Sequence, residues 1–146
     1  MRHRFDGPRR GIPVPPYLQT IAVRFRDIDA LDHVNHAVIA TYCETVRCDW
    51  FALHGWTSMA NLPFIIASLH VEYKAPIPKT ANLQIAVTVP RIGGKSWEFD
   101  YELKDATSGV LYATAKTIQV AYDYKAKATV ALEGPLRAKL EALTPA

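Results

Sequence analysis

Residues 23–47 read VRFRDIDALDHVNHAVIATYCETVR, and this stretch sets the architecture of the whole chain. Its left flank alternates. Across 18–26 (LQTIAVRFR), Ile21, Val23 and Phe25 fall on one side, with Arg24 and Arg26 opposite them. That is the two-residue period of a half-buried strand. Two closely spaced acids follow, Asp27 and Asp29, and then a polar turn with Asp32, His33, Asn35 and His36. From there apolar residues recur at Ile39, Cys43, Val46, Trp50 and Leu53, with Val38, Tyr42 and Phe51 widening the stripe. The period is now helical and predicts a helix over about 36–53, packed deeply against a sheet, with Gly55 placed to stop it.

The rest of the chain reads as strands. PFIIASLHVEY (63–73) runs into KAPIP (74–78), which interrupts it; ANLQIAVTVPR (81–91) is the next strand. Gly93-Gly94 marks a hairpin turn before KSWEFDYEL (95–103), which alternates strictly. Thr107-Ser108-Gly109 turns the chain into the longest strand, 110–122. GPLRAKLEAL (134–143) reads as a short amphipathic helix with Pro135 in its first turn. One strand, one long helix and four hairpin-linked strands make an α+β fold: a five-stranded antiparallel sheet with the helix against one face.

At 146 residues the chain fits one domain able to bury a core, here 17–146 behind a flexible N-terminal arm, 1–16. The net charge of +3 lies on that arm, where Arg2, Arg4, Arg9 and Arg10 outnumber Asp6. The rest of the chain is neutral, which argues against a nucleic-acid-binding face. No apolar run approaches the ~20 residues of a membrane span, and none has signal-peptide character, so a cytoplasmic, membrane-free location is expected. Cys43 and Cys48 lie five apart, on different faces of the predicted helix, and read as reduced packing residues.

The polar turn places a carboxylate, Asp29, just before a helix N-terminus, where unpaired backbone N–H groups and the positive end of the helix dipole also lie. A base beside an oxyanion site is the equipment for hydrolysing an activated acyl group. Asp29 could equally serve as a cap. His33 and Asn35 could orient Asp29, a water or an acyl group, or simply hold the turn. His36 could line the cleft. Glu44 and Arg47, three apart on the helix, are spaced to pair, and Glu44 could instead face the cleft. Asp29, Asp32, His33 and His36 include zinc-ligand types, but no Cys joins them and their spacing matches no zinc signature.

DIDALDHVNHA (27–37), followed by Glu44 and Arg47 on the helix, resembles the D-x-D-x-x-G-H-V-N-N-A…E-x-x-R signature of hot-dog acyl-CoA thioesterases, the 4-hydroxybenzoyl-CoA and long-chain acyl-CoA thioesterase-like branch. SLHVEYKAPI (68–77) and IGGKSWEFDYEL (92–103) are similar to two further segments of that family. Asp32, His36 and Ile39 depart from its Gly, its second Asn and a frequent aromatic residue. The resemblance implies a curled antiparallel sheet wrapped around one long helix, homodimers or homotetramers with sites between subunits, and no metal or separate cofactor. It also implies that Asp29 is the catalytic carboxylate; His33 and Asn35, beside it in the turn, are expected to assist.

The expected reaction is hydrolysis of an acyl-CoA thioester, with Asp29 acting on water or attacking directly, and amides around Asn35 to Ala37 holding the carbonyl oxygen. His36, Ala37 and Glu44 are expected near the acyl group. Arg91, Lys95 and Ser96, around the Gly-Gly turn, are expected to meet the phosphates and pantetheine of CoA, with Lys74 as another cation. A hot-dog dehydratase or hydratase pairing His33 with Asp29 is one rival; an acyl-CoA-binding protein without catalysis is another.

Overall fold

The computed structural model describes residues 15–145; the charged arm and its expected flexibility lie almost wholly outside them. In chain order the elements are β1 (Tyr17–Ile21), a 3-10 turn (Phe25–Asp27), α1 (Val38–Leu53), a second 3-10 turn (Met59–Asn61), β2 (Phe64–Tyr73), β3 (Leu83–Ile92), β4 (Ser96–Asp105), β5 (Leu111–Asp123), β6 (Ala128–Thr129) and α2 (Gly134–Glu141). The strands pair antiparallel in the order β1-β3-β4-β5-β2, and the two-residue β6 adds to the end of β5. The expected five strands are therefore joined by a sixth, too short to leave a period in the sequence.

One connection differs from the expected series of hairpins. β2 does not pair with β3; it pairs with β5 at the far edge. The 74–82 segment carries the chain between them. Pro76 and Pro78 suppress a tight hairpin there, and the segment is tied down instead. The Lys74 and Ala75 amides both donate to the Tyr112 carbonyl, at 2.8 and 3.0 Å, and Ile77 is buried. The route brings this segment against the polar turn before α1: the Val34 amide donates to the Ile77 carbonyl at 2.9 Å.

The first strand is shorter than its alternation predicts. It ends at Ile21, and Phe25, expected inward, is 97% exposed at the start of the 3-10 turn. The cause is Asp27. Its carboxylate is buried, accepting the Arg24 amide at 2.9 Å and the Tyr42 hydroxyl at 2.7 Å, which coils the chain out of the sheet. Burial and this hydrogen bond push the Tyr42 hydroxyl pKa up.

The core lies between α1 and one face of the sheet. Leu83, Ile85, Val87 and Val89 of β3 alternate inward, as do Trp97, Phe99, Tyr101 and Leu103 of β4. Pro90, which cannot donate to a ladder, sits at an irregularity in the β3–β4 register. Helix α1 presents Ile39, Cys43, Val46, Trp50 and Phe51 to these strands. Phe51 touches Phe64, Trp97 and Phe99, with ring centroids 4.8 to 6.5 Å apart. The helix ends where expected. Gly55 takes φ 98°, and the Gly55 and Trp56 amides donate back to Ala52 and Phe51, forming a Schellman cap.

Two residues of the predicted helix face change places. Leu53 is 67% exposed, whereas Arg47 is 6% exposed. Arg47 turns inward, donates to the Tyr101 hydroxyl at 3.1 Å and lies 6.0 Å from the Phe64 ring centre. The expected pairing of Glu44 with Arg47 does not form, because the guanidinium is drawn into the core. Cys43 and Cys48 are both free thiols, and burial pushes the Cys43 pKa up to about 12, in keeping with a packing role.

The β4–β5 turn is organised by Asp105. Its carboxylate accepts the amides of Asn82, Thr107 and Ser108 and the Tyr112 hydroxyl. These bonds, the Ser108 amide first, hold its pKa down at about 2. A folded pKa below the unfolded value of ~3.9 gives stability that is present above that value and lost as pH falls towards 2. Replacing Asp105 by Ala is expected to lower the melting temperature at pH 7 and flatten its fall between pH 4 and 2, measured by circular dichroism.

Candidate active site

The turn between β1 and α1 is built on Asp29. Its amide donates to the His33 carbonyl at 3.0 Å, and its carbonyl accepts the Asp32 amide at 3.0 Å. Asp32 completes the turn at φ 63°, a left-handed conformation that glycine adopts freely and Asp tolerates better than most residues. This is the position where the resembled motif carries Gly. Asp32 is exposed, with Lys79 Nζ 3.8 Å away.

The Asp29 carboxylate is fixed at both oxygens. Oδ1 accepts the Leu31 amide at 2.9 Å, and Oδ2 accepts Asn35 Nδ2 at 3.2 Å. Asn35 in turn accepts the Ala37 amide on its own Oδ1 at 2.9 Å. Asn35 thus holds the amide of Ala37, the residue just before α1, and ties the helix start to the carboxylate. The Ala37 amide, expected to be available to a carbonyl oxygen, is already engaged. So are those of Asn35, which donates to Asp27, and Val38, which donates to Asn35. The His36 amide bonds to none of the described residues.

Asp29 opens into a cavity of about 360 Å³. His33, Val34, His36 and Ile39 line it from the turn and helix start; Tyr73, Lys74, Ala75 and Ile77 line it from the end of β2 and the 74–82 segment. Tyr112 and Ala113 close it from β5. The sequence brings out the first wall through its motif. The second wall is missed as a set of site residues, although SLHVEYKAPI (68–77) marks the segment. The connection that places it beside the turn is a tertiary choice.

The remaining candidates lie elsewhere. Glu44 is exposed on α1, outside the cavity lining. Arg91 and Ser96 border a separate depression of about 140 Å³ at the β3–β4 hairpin, next to Lys95. In the register, Ser96 pairs with Val120, seven residues along β5 from Ala113. At ~3.3 Å per residue that is roughly 23 Å. Within one protomer the hairpin and the Asp29 cavity do not meet. A larger cavity, about 430 Å³, lies on the outer face of the sheet and holds none of the candidates. Lys116 beside it is committed to Glu98 at 2.7 Å and Asp100 at 3.0 Å. Among the described residues, no three His, Cys, Asp or Glu side chains are grouped to hold a metal ion, and no helix is long and apolar enough to cross a membrane.

Comparison with known proteins agrees with this geometry. A family profile described as the thioesterase-like superfamily matches residues 23–140. The long-chain acyl-CoA thioesterase FadM of Escherichia coli K12 is 29% identical over 126 residues, covering 83% of this chain and 94% of that protein. A thioesterase from Thermus thermophilus, solved in complex with coenzyme A and Zn, superposes with a TM-score of 0.78 at 26% identity, over 90% of this chain and 97% of the other. The PA5185 protein of Pseudomonas aeruginosa PAO1 gives a TM-score of 0.81 at 22% identity, over 90% and 94%. With the curled antiparallel sheet around one long helix, and with the Asp29 turn inside the matched region, the chain belongs to the thioesterase-like superfamily and has its hot-dog fold.

Proposed function

We propose that the protein is a hydrolase of acyl-CoA thioesters and that Asp29 is its catalytic carboxylate. The observation that carries this reading is the held carboxylate of Asp29 in a cavity at the start of α1, bonded to Asn35, the residue directly before the unengaged His36 amide. Asp29 takes a proton from water as the water attacks the thioester carbonyl. The His36 amide, rather than that of Ala37, supplies the hydrogen bond to the developing oxyanion. The C–S bond then breaks, the proton held by Asp29 passes to the departing sulfur, and CoA leaves as its thiol. One such donor contributes about 3 kcal/mol to lowering a barrier. Direct attack by the Asp29 carboxylate reaches the same products through an anhydride. Asn35 holds Asp29, and His33 faces the acyl group or water. The relationship to FadM supports an acyl-CoA substrate.

The test is a panel of acyl-CoAs with detection of free thiol. Thiol release at enzymatic rates supports hydrolysis. A dehydratase or hydratase changes the acyl chain and leaves the thioester whole, and a binding protein releases nothing.

We propose further that the active unit is a homodimer or larger. β2 is a ten-residue edge strand, and its Ile66, Leu69 and Tyr73 are 42, 46 and 56% exposed. Such an edge calls for cover. Because roughly 23 Å separates the β3–β4 hairpin from the cavity of its own protomer, we propose that Arg91, Lys95 and Ser96 serve the cavity of another protomer. Light scattering is expected to give a multiple of 16.3 kDa at micromolar concentration. Arg91→Ala with Lys95→Ala is expected to raise KM at low salt while leaving kcat nearly unchanged, since phosphates remote from the carbonyl bind equally in ground and transition states. A monomer with unaltered KM overturns the shared site.

A further inference from the structure

We infer that Tyr73 is a positioning residue for the oxyanion donor: its hydroxyl pins the backbone at His36 and so holds the unengaged His36 amide in its working orientation. The inference rests on the thioesterase reading above and deepens it.

The geometry of the two peptide units around His36 carries it. The Asn35–His36 unit holds the unengaged His36 N–H. Its other end is fixed, because the Asn35 carbonyl accepts the Val38 amide at 2.9 Å. The following unit, His36–Ala37, is held at both ends. Its N–H donates to Asn35 Oδ1 at 2.9 Å, and its carbonyl accepts the Tyr73 hydroxyl at 3.1 Å. A planar peptide anchored at both polar atoms has little freedom to rotate. His36 is thus left without slack in either flanking unit, and its N–H direction is set.

The anchors on Asn35 belong to the turn and helix start. Tyr73 comes from the end of β2, thirty-seven residues away in sequence. It ties the helix start to the sheet at the cavity mouth, alongside the bond from the Val34 amide to the Ile77 carbonyl. The Tyr73 and His36 rings also meet edge to face, centroids 6.3 Å apart and planes at 84°, and both side chains line the Asp29 cavity. Edge-to-face pairing holds the ring in place and aims the hydroxyl at the carbonyl. No charged or catalytic chemistry is required of Tyr73. Its hydroxyl is spent on the backbone, so it acts through the amide and not on the substrate.

Tyr73→Phe keeps the ring and removes only the hydroxyl. Because the ring and its packing against His36 are kept, the variant is expected to fold with a melting temperature close to that of the wild type. An oxyanion donor acts in the transition state, and small misplacements of such groups have large kinetic effects. We expect kcat for acyl-CoA to fall about tenfold, with KM within twofold of wild type. An analogue with the thioester carbonyl replaced by methylene has no oxygen for the amide to hold, so its affinity is expected to be the same for both proteins. A folded Tyr73→Phe protein with wild-type kcat overturns the inference, as does a rise in KM or a weakened analogue with kcat unchanged. Failure of the wild-type protein to hydrolyse any acyl-CoA overturns the thioesterase reading and this inference together.

Discussion

Asp29→Asn is expected to abolish most thioester hydrolysis, with kcat reduced by 10²–10⁴-fold if Asp29 is a general base and by more if it is the nucleophile. The substitution keeps the size and shape of the side chain. Its amide oxygen can still accept the Leu31 N–H, so the turn retains that hydrogen bond. What disappears is the basic carboxylate, together with the bond from Asn35 Nδ2, which the new amide nitrogen cannot accept. Substrate binding draws on the cavity walls and the CoA contacts, so KM is expected to change little. The comparison is made on protein shown by circular dichroism to be folded and to melt near the wild-type temperature. Near-wild-type turnover by such a protein removes Asp29 from the mechanism and leaves it as the cap of its own turn. The aspartate variant tests the base and the Tyr73 variant the oxyanion donor, so the two results are separable.

Phe51→Ala is expected to cost about 3–5 kcal/mol of stability, the usual range for removing a buried aromatic ring from a core. Phe51 is fully buried and stacks on Phe64 while touching rings from α1 and β4. Sheet and helix meet through it, so the neighbours cannot close the gap without moving a backbone element. For a domain of this size each kcal/mol shifts the melting temperature by roughly 2–4 °C, which puts the fall at about 6–20 °C. Leu53→Ala is the control. The same apolar stripe holds both residues, but Leu53 is 67% exposed and its loss is expected to stay within about 0.5 kcal/mol. Equal melting temperatures for the two variants contradict the placement of the core.

The contrast between Phe51 and Leu53 shows how far a periodic pattern reaches. Periodicity identifies a helix and the general direction of its apolar stripe, because side chains three and four apart share a side. It does not fix the edge of the stripe. There a single rotation decides between Leu53 and Arg47, and the partner strands make the choice. Tyr101 offers Arg47 a hydroxyl and Phe64 offers it a ring, whereas Leu53 lies near the end of the helix, next to its Schellman cap. Phe25 fails for a related reason. Strand alternation through Arg26 is sound as a pattern, but Asp27 is paired with Tyr42, fifteen residues on, and that buried hydrogen bond overrides local preference.

The class of the fold, its long helix, its four main later strands and the short helix near the C-terminus are all legible in the chain alone. So is the location of the Asp29 turn. These are local properties: a period of two or 3.6, a glycine that ends a helix, acids and amides crowded before a helix start. Long-range packing chose which strands are neighbours, and with that the second wall of the site. β2 pairs with β5 instead of β3, so the 74–82 segment crosses to the helix start and Tyr73 reaches the His36 carbonyl. The same register sets the β3–β4 hairpin at the other end of the sheet. Several antiparallel strand orders satisfy the same alternation, and packing of the whole core selects one. A hydroxyl that meets a carbonyl thirty-seven residues away follows from that selection and leaves no periodic trace in the chain.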